Sequence, residues 1–292
     1  MEGGDGARCR DRAACALCPL QPETGSDTLC HKEVVMADLS DKTVVVTGAS
    51  KGIGAAITQC MIDAGARVIA HYGGDRAGAE TATSKAKPGR ATLLQADFSD
   101  MNAVDRFWDQ ARDAAGGRID VLVNNAGIMR QKGGVLDPIE DWDAVWTEAM
   151  AVNVHAPARL LRHAVSGWLD ADEPGAIIGI GSWATTRGTS NPGAIAYAAS
   201  KAAIAAATKT VARNYADRGI LAYIISPGVV RTQMSVDSAA LTGGEAAVTA
   251  TLPMGEWVPP SDIGELAAFL AEGRARHLTG ATIDVNGAAY IR

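Results

Sequence analysis

Short apolar runs alternate with longer segments of helical period from Lys42 to Val285. The runs Lys42–Val46 (KTVVV), Arg67–Tyr72 (RVIAHY), Ala91–Gln95 (ATLLQ), Ile119–Val123 (IDVLV), Ala176–Ile180 (AIIGI), Leu221–Ser226 (LAYIIS) and Thr282–Val285 (TIDV) are rich in β-branched and aliphatic residues and read as strands. Between them, a helix leads from the glycines after Val46 to Ala64, and Met101–Ala115 places Val104, Phe107, Trp108 and Ala111 at helical spacing. A long helix is expected over Asp141–Leu169, with Asn153 near its middle, and another carries Tyr197 and Lys201. Regular alternation of this kind predicts right-handed βαβ units: one domain with a doubly wound, seven-stranded parallel sheet and helices on both faces. Val229–Val258 breaks the rhythm and is too long for a simple connection, which suggests either a lid or substrate wall or, equally, a helical excursion with a packed core of its own.

Residues 1–36 stand apart. They lack either periodicity and hold four of the five cysteines. Cys15-x-x-Cys18 raises a zinc site, but Cys9, Cys30 and the adjacent His31 do not make the second spaced pair of a structural finger. We therefore expect a disordered extension over 1–36 ahead of a folded domain over 37–292, with no metal, and Met36 is an alternative start of the native chain.

Composition narrows the partners. A net charge of -6 without long charged runs gives no footprint for nucleic acid. No apolar run reaches the roughly 20 residues of a membrane span, and Ala13–Leu20 is a poor secretion signal, so a cytoplasmic protein is expected.

Ligands of doubly wound sheets sit at the carboxyl ends of the strands. There the chain places Thr47-Gly48-Ala49-Ser50-Lys51-Gly52-Ile53-Gly54, Asp97, Asn124-Asn125-Ala126-Gly127, Ser182 and Pro227-Gly228. The glycines allow a tight turn whose backbone amides approach a pyrophosphate at a helix start. Tyr197 and Lys201 share one helix face. An ammonium within ~4–6 Å of a phenol lowers its pKa by roughly 1–3 from about 10, which makes a tyrosine useful for proton transfer.

With Thr47-Gly48-(x3)-Gly52-Ile53-Gly54, Asn124-Asn125-Ala126-Gly127, Asn153, Ser182, Tyr197-(x3)-Lys201 and Pro227-Gly228 in this order, residues 40–292 resemble the short-chain dehydrogenase/reductase family. The resemblance implies a Rossmann-type fold, a nicotinamide coenzyme, and hydride transfer to a carbonyl or from a secondary alcohol. It assigns the pyrophosphate turn to Gly48, Ser50, Lys51, Gly52, Ile53 and Gly54, and the adenine contact to Asp97. It gives the remaining coenzyme surface to Tyr72, Asn124, Ala126, Gly127, Pro227, Gly228 and Thr232. Ser182 would hold the substrate oxygen and Tyr197 would move the proton. Lys201 would depress the tyrosine pKa and bind the nicotinamide ribose, and Asn153 would hold a water relay to Lys201. A homo-tetramer or dimer is implied as well.

Two departures carry expectations of their own. Ser182 and Tyr197 are separated by 14 residues, one or two more than the family pattern, and the surplus falls in the Thr186–Gly193 loop. Tyr72 stands where NAD users carry an Asp, whereas Lys51 supplies the cation of NADP users and Arg76 is a further candidate, so NADP(H) is favoured over NAD(H). Met129, Trp183, Met234 and Trp257 are the candidate pocket walls. A 3-oxoacyl-acyl-carrier-protein-type reductase and a non-catalytic nucleotide-binding protein are the alternatives, the latter disfavoured because Ser182, Tyr197 and Lys201 are all present.

Overall fold

Thr43–Val46 forms β1, and all four of its side chains are buried, as a central strand covered on both faces requires. The computed structural model describes residues 37–291. After β1 come α1 (Gly52–Asp63), β2 (Arg67–Tyr72), α2 (Arg76–Thr83), β3 (Ala91–Gln95), α3 (Met101–Ala115) and β4 (Val121–Asn124). The second half runs α4 (Ile139–Met150), α5 (Ala156–Ala171), β5 (Gly175–Ile180), α6 (Ala184–Arg187), α7 (Ile195–Tyr215) and β6 (Ile220–Pro227). Helices α8 (Gln233–Ala240), α9 (Gly244–Thr249) and α10 (Pro260–Glu272) precede β7 (Thr282–Val285). The extension over 1–36, with Cys9, Cys15, Cys18, Cys30 and His31, lies outside the described residues.

All seven strands are parallel, in the order β3-β2-β1-β4-β5-β6-β7. This is the Rossmann-type sheet, and its order reverses between β1 and β4, where a crevice opens at the carboxyl edge. Alternate residues of each strand point to opposite faces. Val44, Val46, Ile178 and Tyr223 meet Ile57, Met61, Ile263 and Ala267 of α1 and α10, while Val45, Leu122, Ile177 and Ala222 meet Phe107, Leu160 and Val211 of α3, α5 and α7.

The expected long helix is interrupted. Between α4 and α5, Ala151–His155 forms one π-helical turn, with Asn153 buried inside it. Hydrophobic period does not register a single wider turn, because the buried positions Val145, Ala149, Asn153, Ala156 and Leu160 keep spacings of three and four. Helices α2 and α10 also went unseen in the pattern. The first is polar and small, defined mainly by Asp75, which caps it by accepting from the Gly78 N–H at 2.9 Å.

The Val229–Val258 excursion closes on itself through a bridge between Val230 and Val258, with α8 and α9 inside it. Trp257, expected as a pocket wall, is its packing centre. Only 3 % of Trp257 is exposed, its indole N–H donates to Thr249 Oγ1 at 2.8 Å, and the Arg231 guanidinium lies 5.3 Å above the ring. Its apolar bulk serves the excursion.

Candidate active site

The turn after β1 is built by close backbone approach. Gly48 and Gly52 have φ of 67° and 55°, where a side chain is strained. Gly54 faces inward: a Cβ there would stand 2.0 Å from the Gly48 carbonyl oxygen. Thr47 ties this turn to the next strand. Its hydroxyl donates to the Val123 carbonyl at 3.1 Å and accepts from the N–H groups of Asn125 and Ala126 at 2.9 and 3.0 Å. The Asn125 amide donates back to the carbonyls of Thr47 and Gly48. Helix α1 starts without a side-chain cap, so its first N–H groups have no side-chain acceptor, and Thr232 packs its methyl against Gly52. A glycine cradle leading to an uncapped helix start fits the pyrophosphate of a dinucleotide.

His71 completes the turn. Its Nδ1 accepts from the Gly48 N–H at 3.0 Å, which leaves Nε2–H to donate to the Ala96 carbonyl at 3.1 Å. The ring is 3 % exposed and stacks on Phe98 at 3.8 Å, and burial pushes its pKa down to about 4.

Strand β5 delivers Ser182 and helix α7 delivers Tyr197 and Lys201 to one place. Ser182 is buried, stands beside Tyr197 closely enough to act on the phenol, and accepts from the Ala184 N–H at 3.1 Å. Lys201 is 6 % exposed, and its ammonium lies 5.9 Å from the Tyr197 ring centre and donates to the Ile180 carbonyl at 2.8 Å. Desolvation lowers the Lys201 pKa to about 8. It also raises that of Tyr197, with Ser182 acting in the opposite sense. In the protein alone, burial thus sets the direction for Tyr197, opposite to the expected lowering.

Asn153 is held by direct hydrogen bonds to the loop after β4 and to α7. The π turn aims its side chain so that Oδ1 accepts from the Ile128 N–H at 2.8 Å, while Nδ2 donates to the Ile128 carbonyl at 2.9 Å and to Ser200 Oγ at 3.0 Å. Ser200 in turn donates to the Tyr197 carbonyl at 2.8 Å. Gly127 lies against this group, since a Cβ on it would reach Asn153 Oδ1 at 3.3 Å and Lys201 Nζ at 3.4 Å.

Residues 48–288 match the family model described as enoyl-(acyl carrier protein) reductase. A 3β-hydroxysteroid dehydrogenase of Eggerthella lenta is 37% identical over 258 residues, covering 86% of this chain and 94% of its own. The 3-oxoacyl-[acyl-carrier-protein] reductase of Escherichia coli is 33% identical over 250 residues, covering 86% and 98%. A dehydrogenase/reductase from Sinorhizobium meliloti superposes with a TM-score of 0.75 at 34% identity, covering 87% and 97%. The chain belongs to the short-chain dehydrogenase/reductase family. It is therefore an oxidoreductase of CH–OH and C=O groups.

In this short-chain dehydrogenase/reductase, Tyr72 is buried at the end of β2. Arg76 forms a 2.8 Å ion pair with Glu80 and lies beside Tyr72, and Glu80 first and then Tyr72 raise its pKa. Its charge is thus partly committed, whereas Lys51 is exposed on the glycine turn. Asp97 is exposed after β3 and accepts from the Ser99 N–H and hydroxyl at 2.9 and 2.8 Å, which lowers its pKa. Asn124 donates to the Pro157 carbonyl at 3.1 Å and so braces β4 against α5. At the far edge, Pro227 accepts from the Trp183 N–H at 3.0 Å and Gly228 donates to Val285 at 2.9 Å.

The remaining expected walls differ in exposure. Trp183 is half-buried under the Arg187 guanidinium at 4.4 Å, Met129 is half-buried, and Met234 is 36 % exposed. Three residues escaped the motif reading: His71, Ser200 and Asn191. Ser200 immediately precedes Lys201, and a hydroxyl one turn after the tyrosine was the available signal. The others are recognisable only from partners that are distant in sequence.

Among the described residues no helix is long and apolar enough to cross a membrane, and no cluster of three metal-ligating side chains is found.

Proposed function

We propose that the protein is an NADP(H)-preferring cytoplasmic enzyme that interconverts a ketone and a secondary alcohol, with Tyr197 as the proton-transferring group. The observation that carries this reading is the convergence of Ser182, Tyr197 and Lys201, with the buried Lys201 ammonium 5.9 Å from the Tyr197 ring centre. When bound, the nicotinamide coenzyme supplies or accepts the hydride. The glycine turn, Asp97 and the Asn124–Gly127 segment would hold its adenine and pyrophosphate part. Pro227, Gly228 and Thr232 would border it on the opposite side.

Ser182 would hold the substrate oxygen and stabilise charge developing on it. In reduction Tyr197 gives its proton to that oxygen, and in oxidation it takes the proton back. Its raised pKa keeps the phenol protonated at neutral pH, which suits the donor role. Lys201, held under the ring by the Ile180 carbonyl, would contact the ribose and stabilise the phenolate left after transfer. Asn153 keeps the Ile128 segment and α7 in register, so the Tyr197 hydroxyl stays over the coenzyme floor.

Loss of NADPH absorbance over a panel of ketones tests the reading. Tyr197→Phe should lower the rate by at least about 10²-fold, the usual scale of general acid catalysis. Equal rates in variant and parent would refute it. NADP(H) preference rests on Lys51 and on the missing carboxylate at Tyr72, and a tenfold preference for NADH would overturn it.

The 3β-hydroxysteroid dehydrogenase at 37% identity supports a bulky apolar ketone as substrate, and the 3-oxoacyl-acyl-carrier-protein reductases at 32% to 33% support a β-ketoacyl thioester as the second reading. Rates with a 3-ketosteroid and an acetoacetyl thioester separate the two. Val135, Leu136 and Ile139 are 75 %, 98 % and 62 % exposed just before and at the start of α4, and their burial by a second copy would support the homo-oligomer. Sedimentation as a monomer would remove it.

A further inference from the structure

Asn191 is buried to 7 % exposure in the loop that leads into α7, although it is polar and far from every motif residue except Tyr197. Its hydrogen bonds run in three directions. Oδ1 accepts from the Gly193 N–H at 3.0 Å and so caps the short 3₁₀ turn Pro192–Ala194, and its own N–H donates to Thr189 Oγ1 at 3.1 Å. Nδ2 donates to Gln131 Oε1, on the loop that follows β4. The two loops touch at backbone level beside this bond. A Cβ on Gly193 would stand 2.8 Å from the Gln131 carbonyl carbon and 2.9 Å from the Lys132 nitrogen, and one on Gly134 would stand 3.1 Å from the Pro192 carbonyl oxygen.

The same loop is tied to α7 a second time, through Asn153, which bonds Ile128 and Ser200. Tyr197 lies between the two ties: six residues after Asn191 and three before Ser200. One tie alone leaves a helix free to pivot about it. Two ties on either side of the tyrosine fix both its height over the loop and its tilt.

We propose that Asn191, through Gln131, is a positioning residue for proton transfer: it locks the start of α7 to the β4 loop and thereby sets where the Tyr197 hydroxyl stands. The proposal rests on Tyr197 being the proton-transferring group. Misplacement by about 1 Å is enough to cost on the order of 10²-fold in rate. Loss of the lock therefore appears in kcat, while coenzyme binding, which uses the glycine turn, is retained.

The test measures kcat, KM, NADPH affinity by fluorescence, and melting temperature for Asn191→Ala, Gln131→Met, Gln131→Glu and Gly193→Ala, with Tyr197→Phe alongside. Gln131 is only partly buried, so Gln131→Met folds even if Asn191→Ala does not. Gly193 has no positive φ, so an alanine there acts by pushing the loops apart. We expect kcat to fall at least tenfold in Asn191→Ala, Gln131→Met and Gly193→Ala, with NADPH affinity within twofold of the parent. Gln131→Glu keeps the acceptor oxygen and should retain kcat within twofold. Two outcomes overturn the proposal while Tyr197→Phe is inactive: kcat unchanged in Gln131→Met and Gly193→Ala, or Gln131→Glu as impaired as Gln131→Met. If Tyr197→Phe itself keeps the parent rate, the functional reading falls, and the positioning role falls with it.

Discussion

The Gly48 N–H donates to His71 Nδ1 at 3.0 Å, which joins the turn after the first strand to the end of the second. This bond exists only while the imidazole is neutral, because a protonated Nδ1 would present a hydrogen to the amide. The folded pKa of about 4 lies below the ordinary 6.5, so the unfolded chain takes up the proton first. The stabilisation is complete above about pH 6.5 and is lost as pH falls towards 4, by about 3 kcal/mol in all. Urea unfolding at intervals across that range should show this loss, and His71→Asn should flatten it.

Lys201 has the same sign at higher pH. Its folded pKa of about 8 lies below the ordinary 10.5, so the penalty for burying the ammonium is complete below pH 8 and is relieved as pH rises from 8 towards 10.5. Lys201→Met should therefore raise stability at pH 7 by about 1–3 kcal/mol while abolishing turnover. Denaturation midpoints and NADPH oxidation rates, measured on the same preparations, check both halves.

Two glycines make an opposed pair. A Cβ on Gly54 would sit 2.0 Å from a backbone carbonyl, so Gly54→Ala should destabilise the protein by about 2–4 kcal/mol and weaken coenzyme binding. Gly167, inside α5, has nothing within 4 Å of its virtual Cβ, and Gly167→Ala should stabilise by about 0.5–1 kcal/mol. Thermal melts of the two variants should move in opposite directions.

Coenzyme choice should respond unequally to the two candidate cations. Arg76 is already engaged by Glu80 and Tyr72, whereas Lys51 is exposed on the turn. Lys51→Ala should lower the NADPH over NADH specificity ratio by about tenfold or more, the scale of a lost charge-assisted contact, and Arg76→Ala should lower it less. Ratios of kcat/KM for the two coenzymes decide the order.

Seven strands and their parallel direction were legible from period, because alternation of short apolar runs with helical stripes leaves few other topologies, whereas their order in the sheet came from the structure. Tyr197 and Lys201 were legible as a pair for an equally local reason: residues four apart in a helix must share a face. The expected effect of one on the other was a different matter. Its sign depends on how much water is removed from both groups, and burial raises the phenol, opposite to the expectation.

Tertiary structure decided everything that depends on a partner far along the chain. Asn153 became a double anchor because a π turn redirects it onto Ile128, 25 residues away. Trp257 turned from a wall into a packing centre because Arg231 and Thr249 close around it. His71 and Asn191 carry no motif, yet each joins two loops whose proximity the sheet order creates. The chain by itself therefore determined which elements form and which side chains reach the carboxyl edge, since those depend on local period and turn chemistry. Their hydrogen-bond partners and protonation depended on contacts across the fold, and no local spacing encodes those.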